Sequence, residues 1–134
     1  MWVGEGSKLR ISGSLFLKNH AKKGGGAIAA VGSFINPTLI VLSSTKFDQN
    51  RAFQWSGGGG IFANNDVKLV LEDVTMASNS PNGLICVRGS KYTNDKTKCE
   101  SDLCKAGRTD SNLFVRAATI CCPGLGKPDK TQCR

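Results

Sequence analysis

Residues 9–19 read LRISGSLFLKN, and the chain repeats this pattern twice. Residues 40–50 read IVLSSTKFDQN, and residues 69–79 read LVLEDVTMASN. All three segments follow [LI]-x-[IL]-x4-[FM]-x2-N without a gap, and their starts lie 31 and 29 residues apart. Repeats with a period of about 20 to 50 residues indicate stacked supersecondary units. This repeat therefore decides the class of fold.

Each unit begins with a short β-rich run, and a glycine-rich link follows its asparagine. Because side chains alternate along a strand, the two patterned aliphatic residues should point inward and the residue between them outward. An αα repeat is disfavoured because the apolar runs are short, β-branched and interrupted by glycine clusters. We therefore predict an all-β fold, a short parallel β-helix of three to four coils.

Stacked coils, about 4.8 Å apart, would bring equivalent residues into columns. One column would hold aliphatic side chains and another large apolar ones, while the asparagines would form an inward amide ladder bonded to corner backbone. The alternative is that the three asparagines are solvated turn residues. The predicted structural ladder contains Asn19, Asn50, Asn79, Phe16, Phe47 and Met76.

All six cysteines lie after residue 85, in a lysine-rich segment. This distribution indicates a disulfide framework, and hence an oxidising compartment, although the sequence does not choose among the pairings. A zinc site is disfavoured because the segment has no C-x2-C pair and the chain's only histidine, His20, lies in the repeat region. The disulfide candidates are Cys86, Cys99, Cys104, Cys121, Cys122 and Cys133.

The change in composition divides the chain into a β-helix repeat region, residues 1–85, and a Cys-rich cap, residues 86–134. Within the cap, Leu113, Val115 and Ile120 repeat the aliphatic spacing loosely, while a proline replaces the asparagine. We therefore keep open a degraded fourth coil at 113–124, with the residues before it as an excursion between coils.

The net charge is +8, from 18 basic and 10 acidic residues. Such a surface favours polyanions, and Lys22, Lys23 and the lysines of the tail are candidate contacts for an acidic glycan. Nucleic acid is a less favoured partner because Tyr92 is the only nearby aromatic residue among the tail lysines. The alternative is a surface that is merely basic.

No catalytic constellation is evident in the repeat region. Its five acids do not recur at one position of the repeat, and His20 lacks a serine, cysteine or carboxylate pattern around it. We predict no enzymatic activity, no cofactor and no metal site. The sequence also lacks a membrane span, because no stretch approaches the roughly 18 apolar residues that a span needs.

Residues 16–19 (FLKN) followed by residues 25–28 (GGAI) resemble the F-x-x-N and G-G-A-[ILV] repeats of the chlamydial polymorphic outer membrane proteins. The second unit retains the F-x-x-N box and has residues 59–62 (GGIF) in place of the glycine motif. The third unit departs, with Met76 for phenylalanine and residues 82–85 (NGLI) for the glycine motif. The resemblance implies a right-handed, pectin-lyase-like β-helix at a cell surface, used for adhesion or as a structural stalk.

Two functional classes follow from these observations. The first is a secreted or cell-surface structural or adhesive module, which acts through surface contacts in a larger assembly. An open coil end is a template for strand pairing, so we expect a protein partner, another domain, a neighbouring subunit or a missing portion of the same protein at the N-terminal coil end. The alternative is a glycan-binding or polysaccharide-degrading module that uses the side of the solenoid.

Overall fold

We describe the fold from a computed structural model of the chain, for residues 1–53, 58–80, 83–87, 90–95, 98–99 and 119–120. Within these ranges every regular element is a β-strand, which confirms the predicted all-β class. The strands are β1 Trp2–Val3, β2 Lys8–Ser12, β3 Leu15–Leu17, β4 His20–Ala21, β5 Ile28–Val31, β6 Thr38–Ser43, β7 Lys46–Asp48, β8 Arg51–Ala52, β9 Ile61–Asn64, β10 Val67–Glu72, β11 Thr75–Ala77, β12 Leu84–Val87, β13 Lys91–Asp95, β14 Lys98–Cys99 and β15 Thr119–Ile120.

Successive strands belong to different sheets, and the chain returns to the same sheet one coil later. The sheet orders are β1-β5-β9-β12-β15, β2-β6-β10-β13, β3-β7-β11-β14 and β4-β8. The pairs are parallel except β12–β15, which is antiparallel. Parallel strands stacked in this order are the arrangement of a β-helix, as the repeat predicts.

The core consists of columns of equivalent side chains that run through the coils. The pairing register places Leu9 against Ile40, and Ile40 against Leu69. In β6 and β10 buried residues alternate with more exposed ones, so the inward residues Ile40 and Leu69 are fully buried. A column of large apolar residues adjoins this one, because Phe47 lies between Phe16 and Met76.

The two phenylalanines of this second column show how closely the coils stack. The rings of Phe16 and Phe47 lie parallel, with centroids 4.8 Å apart and an interplanar angle of 4°. This distance matches the spacing of hydrogen-bonded strands, so the rings follow the backbone repeat without shifting sideways. Phe47 is fully buried, because Phe16 covers one of its faces and Met76 follows in the next coil.

Each coil bends sharply at residues with positive φ, most of which are not glycine. In the first bend Gly13, Ser44 and Asp73 have φ of 58°, 44° and 52°. In the second bend, just before the asparagines, Lys18, Gln49 and Ser78 have φ of 53°, 54° and 54°. The left-handed region costs an L-residue roughly 1–2 kcal/mol, so its recurrence at equivalent positions shows that the bend belongs to the coil.

The parallel stacks continue beyond residue 85. Strand β13 pairs with β10, with Tyr92 opposite Leu69, and β14 pairs with β11, with Cys99 opposite Met76. Of the segment 113–124 only Thr119–Ile120 is described, and it pairs antiparallel with β12. The rest of that segment and the side chains of all six cysteines lie outside the described residues. The coil count, the domain division and the disulfides therefore stay predictions.

Candidate functional site

The three repeat asparagines lie in one column and form a one-directional chain of hydrogen bonds. Asn19 Nδ2 donates to Asn50 Oδ1 at 2.9 Å, and Asn50 Nδ2 donates to Asn79 Oδ1 at 2.8 Å. The backbone N–H groups of Asn19 and Asn50 donate to the same two oxygens, each at 3.0 Å. The amide oxygens of Asn50 and Asn79 thus each accept two hydrogen bonds from the coil before them.

The asparagine column is also hydrogen-bonded to the backbone of the column of large apolar residues. Asn50 Nδ2 donates to the backbone oxygen of Phe16, and Asn79 Nδ2 donates to that of Phe47, both at 2.9 Å. Asn50 and Asn79 are 0% and 1% exposed, so these bonds compensate for amides that have lost their water. The structure therefore places Asn50 and Asn79 in a structural network rather than on a reactive surface.

Among the described residues, the first coil has a neighbouring coil on one side only. Strands β1 to β4 each pair with one neighbour only, because they lie at the edges of their sheets. Leu9, Ile11 and Phe16 are only partly buried, whereas their partners in the next coil are completely covered. Asn19 is exposed, and no donor in the described ranges bonds to its Oδ1 atom. This end therefore presents the cross-section of the repeat.

The glycine links close the coils at a point where backbones approach each other. Gly25 and Gly58 have positive φ, 73° and 62°, and Gly25 N–H donates to Gly58 O at 2.9 Å. The register then places Ile28 against Ile61. The sequence comparison aligned residues 25–28 with residues 59–62 and was therefore wrong by one position. In the second coil Gly60 is equivalent to Ala27, and Ile61 is equivalent to Ile28.

A cluster of basic and aromatic side chains lies just after the asparagines of the first two coils. His20 pairs with Arg51 in the β4–β8 register, and both are exposed while the alanines that follow them face inward. The Arg51 guanidinium carbon lies 4.8 Å from the centroid of the Phe53 ring. The His20 ring meets the same ring edge-on, with centroids 5.7 Å apart.

Sequence reasoning missed Arg51 and Phe53 and found no catalytic pattern around His20. The signal was present in the repeat itself. Arg51 follows Asn50 just as His20 follows Asn19, and Phe53 N–H donates to Ala21 O at 3.0 Å, which brings Phe53 level with Lys22. Counting one and three residues beyond each asparagine would have predicted that these side chains lie together.

A second exposed feature is the corner loop between β5 and β6. This connection contains six residues, 32–37, whereas the equivalent connection between β9 and β10 contains only two, 65–66. The longer loop carries Phe34 and Ile35, which are 91% and 85% exposed. Exposed apolar residues of this size at a loop tip are candidates for protein contact.

Two of the described acids already have side-chain partners. Asp48 is paired with Lys46 at 3.1 Å, and Asp73 accepts a hydrogen bond from Ser44 Oγ at 3.3 Å. The β10–β13 register places Asp95 opposite Glu72, a neighbouring pair of acids that the sequence comparison did not detect. Across the described ranges there is no group of three His, Cys, Asp or Glu residues that could hold a metal ion. No helix in these ranges is long and apolar enough to cross a membrane.

Comparison with protein families gives one match. Residues 13–31 match the Chlamydia polymorphic membrane protein (Chlamydia_PMP) repeat, and this segment contains both the F-x-x-N box and the G-G-A-I motif of the first coil. The first unit is therefore a repeat of this type, which indicates a protein associated with a surface or an outer membrane. No significant match was found among curated proteins or among solved structures.

Proposed function

We propose that this protein is a structural or adhesive module of a cell-surface assembly, and that it works by contact through the N-terminal end of its β-helix. One observation carries the proposal. The first coil leaves Asn19 Oδ1 without a donor in the described ranges, although the equivalent oxygens of Asn50 and Asn79 each accept two bonds from the coil before them. The end therefore fits a polypeptide that supplies those donors.

The ladder specifies the partner's chemistry. A partner asparagine would donate its Nδ2 and its backbone N–H to Asn19 Oδ1. A large apolar residue three positions earlier would cover the open face of Phe16, and its backbone oxygen would accept from Asn19 Nδ2, as Phe16 O accepts from Asn50 Nδ2. Aliphatic residues of the partner would cover Leu9 and Ile11. These requirements describe another coil with an F-x-x-N box, stacked in parallel.

A second copy joined end to end through the same surface fits less well. The exposed side chains of the edge strand β2 include Lys8 and Arg10, which a two-fold arrangement would bring close to their own counterparts. The strands would also run antiparallel, so the asparagine ladder would not continue in one direction. The proposed occupant is therefore a parallel coil of the same repeat type.

Duplicating the first coil tests this proposal directly. Trp2 lies opposite Ala29, so Met1 occupies the position in the first coil that Ile28 occupies in the second. A copy of residues 1–27 placed before Met1 should therefore join in register. The added coil should cover three half-buried side chains and complete one step of the ladder, a gain of about 2 kcal/mol. We expect the melting temperature to rise by about 5 °C or more in a thermal unfolding experiment.

The matched control is the same duplication with alanine at the added coil's phenylalanine and asparagine positions, which should lose most of the gain. An added coil that leaves the melting temperature unchanged, and that protease removes while the rest of the chain stays intact, would contradict the proposal. Size-exclusion chromatography of the unmodified chain, which reports its oligomeric state, gives a further check. Dimers that Phe16→Lys abolishes would indicate that the end binds a second copy instead.

We also propose that the module is not an enzyme. A glycoside-hydrolysing site generally uses two carboxylates on either side of the bond that is cleaved. Asp48 lies between Leu17 and Ala77 in its column and is already paired with Lys46, so it has no carboxylate neighbour in the stack. Glu72 lies beside Asp95 but is exposed at the end of its strand. The observed arrangement thus supports contact more than hydrolysis.

A further inference from the structure

We propose that the outer side of the first two coils carries a binding site for an acidic polysaccharide, and this proposal does not depend on the one made for the N-terminal end. The site is the cluster Lys18, His20, Lys22, Lys23, Arg51 and Phe53, called here the basic corner. All six side chains are exposed. Its ligand would be a linear glycan that carries sulfate or carboxylate groups.

Strand geometry places four members of the basic corner, His20, Lys22, Arg51 and Phe53, on one outer surface. In β4 and β8 the paired alanines face inward, so His20 and Arg51 point outward one coil apart. The hydrogen bond from Phe53 N–H to Ala21 O continues this register by one residue, which brings Lys22 beside Phe53. The corner is therefore a row of side chains that crosses two adjacent coils.

Among the described residues, no basic group of the corner forms an ion pair with an acid. The acid closest to it along the described chain is Asp48, and its carboxylate is already paired with Lys46 at 3.1 Å. In the third coil the residue that follows the asparagine is Ser80, which forms a parallel bridge with Arg51 and adds no charge. Several positive groups thus share a small area, an arrangement that attracts a polyanion.

Phe53 distinguishes this corner from a surface that is merely basic. The ring supports the Arg51 guanidinium at 4.8 Å, a cation–π geometry, while His20 packs against its edge. A guanidinium held on a ring keeps its N–H groups directed outward in a planar fork, which suits the two oxygens of a carboxylate or sulfate. Because Phe53 restricts Arg51 before the ligand arrives, less side-chain freedom is lost on binding.

The same geometry favours a polysaccharide over nucleic acid or a membrane. Single-stranded nucleic acid is bound by several rings on which successive bases stack, whereas the corner has one phenyl ring, and Arg51 covers one of its faces. An anionic membrane would be best matched by basic groups spread over a plane with apolar residues that enter the lipid. The basic corner is instead a narrow row at a bend of the coil, which matches an extended chain with regularly spaced anions.

The proposal can be tested with the full chain and two probes, a heparin oligosaccharide for sulfate and polygalacturonate for carboxylate, with dextran as the neutral reference. The triple variant Lys22→Gln, Lys23→Gln, Arg51→Gln should weaken binding to at least one acidic probe by about 10-fold or more at physiological salt. The matched control, Lys8→Gln, Arg10→Gln, Lys68→Gln, removes the same charge from exposed positions on β2 and β10 and should change affinity by less than about 3-fold.

Phe53→Leu provides the sharper measurement, because it leaves every charge in place. Loss of the support for Arg51 should weaken binding by about 2- to 5-fold, while a diffuse electrostatic attraction would not change. Circular dichroism of each variant verifies that the fold is intact. Equal losses in the two triple variants, no binding to either acidic probe, or tighter binding to single-stranded DNA or to phosphatidylserine vesicles would each overturn the proposal.

Discussion

Gly26→Ala is expected to lower the free energy of unfolding by about 4 kcal/mol or more, enough to prevent stable folding of a domain this size. A Cβ atom at this position would overlap the carbonyl oxygen of Gly59 and lie 2.8 Å from both the N and the O atom of Arg51. All three obstacles are backbone atoms of the next coil, which cannot rotate away as a side chain could. The coils would have to separate, and the bond from Ala27 N–H to Gly60 O would break.

Urea denaturation of Gly26→Ala beside Gly4→Ala tests this explanation. A Cβ atom at Gly4 would have Trp2 Nε1 as its nearest neighbour, at 3.9 Å, and no positive φ is involved, so this variant should stay within about 0.5 kcal/mol of the parent. Gly59→Ala should behave like Gly26→Ala, because its Cβ would lie 2.6 Å from Ser80 N. A Gly26→Ala protein as stable as Gly4→Ala would show that the coils do not pack this closely.

The aliphatic columns could be predicted from sequence because two constraints act together. The side-chain period of a strand is two residues, so a slip of one residue would turn Leu9 and Ile11 outward. The repeat also keeps a constant number of residues between this pair and the asparagine. Only one register therefore aligns the inward-pointing residues of neighbouring coils. The pattern therefore carries enough information to align β2, β6 and β10 without any structure.

The glycine links could not be aligned in the same way. Residues 57–60 are four consecutive glycines, and side-chain pattern cannot distinguish one from its neighbour. The hydrogen bonds from Ala27 and Ile28 N–H to Gly60 O decide the register. The bend before the asparagines could not be predicted either. Its residues Lys18, Gln49 and Ser78 all have positive φ, but their side chains have no property in common that a sequence pattern could detect.

The strands beyond residue 85 escaped detection for a different reason. Tyr92 and Cys99 lie opposite Leu69 and Met76, yet neither belongs to the residue types of the pattern. They also follow their partners by 23 residues, a shorter interval than the earlier two. A search for the spacing of the first three units therefore selected the looser match at 113–124. Parallel strand pairing can therefore continue in coils whose side chains no longer match the repeat pattern.

Asn50→Ala is expected to cost about 3 kcal/mol of unfolding free energy. The substitution removes the acceptor of two hydrogen bonds from Asn19 and the donor of the bonds to Phe16 O and Asn79 Oδ1. Asn79 Oδ1 retains the backbone N–H of residue 50, but the Phe16 carbonyl and the Asn19 N–H each lose the partner that Asn50 supplies in a part-buried site. A buried group left unpaired costs about 1–3 kcal/mol, and the groups act here as one network.

Asn19→Ala is the matched control, because the same residue type lies in the same column but is exposed. It removes only the bond from Nδ2, while the backbone N–H of residue 19 still serves Asn50 Oδ1, so the expected loss is about 1 kcal/mol. Equal losses for Asn19→Ala and Asn50→Ala in chemical denaturation would contradict a ladder that stabilises the interior.

Asn50→Asp tests the direction of the ladder. A carboxylate keeps an acceptor for Asn19 but turns its second oxygen toward two other acceptors, Phe16 O and Asn79 Oδ1. Burial and these neighbours should raise the pKa of the introduced carboxyl in the folded state above its unfolded value of about 3.9. A raised pKa contributes stability that is complete below the unfolded value and is lost as pH rises through the folded value. The deficit relative to the parent should therefore be larger at pH about 7 than at pH about 4. If the deficit instead grows as the pH falls, residue 50 cannot be the donor in these two hydrogen bonds.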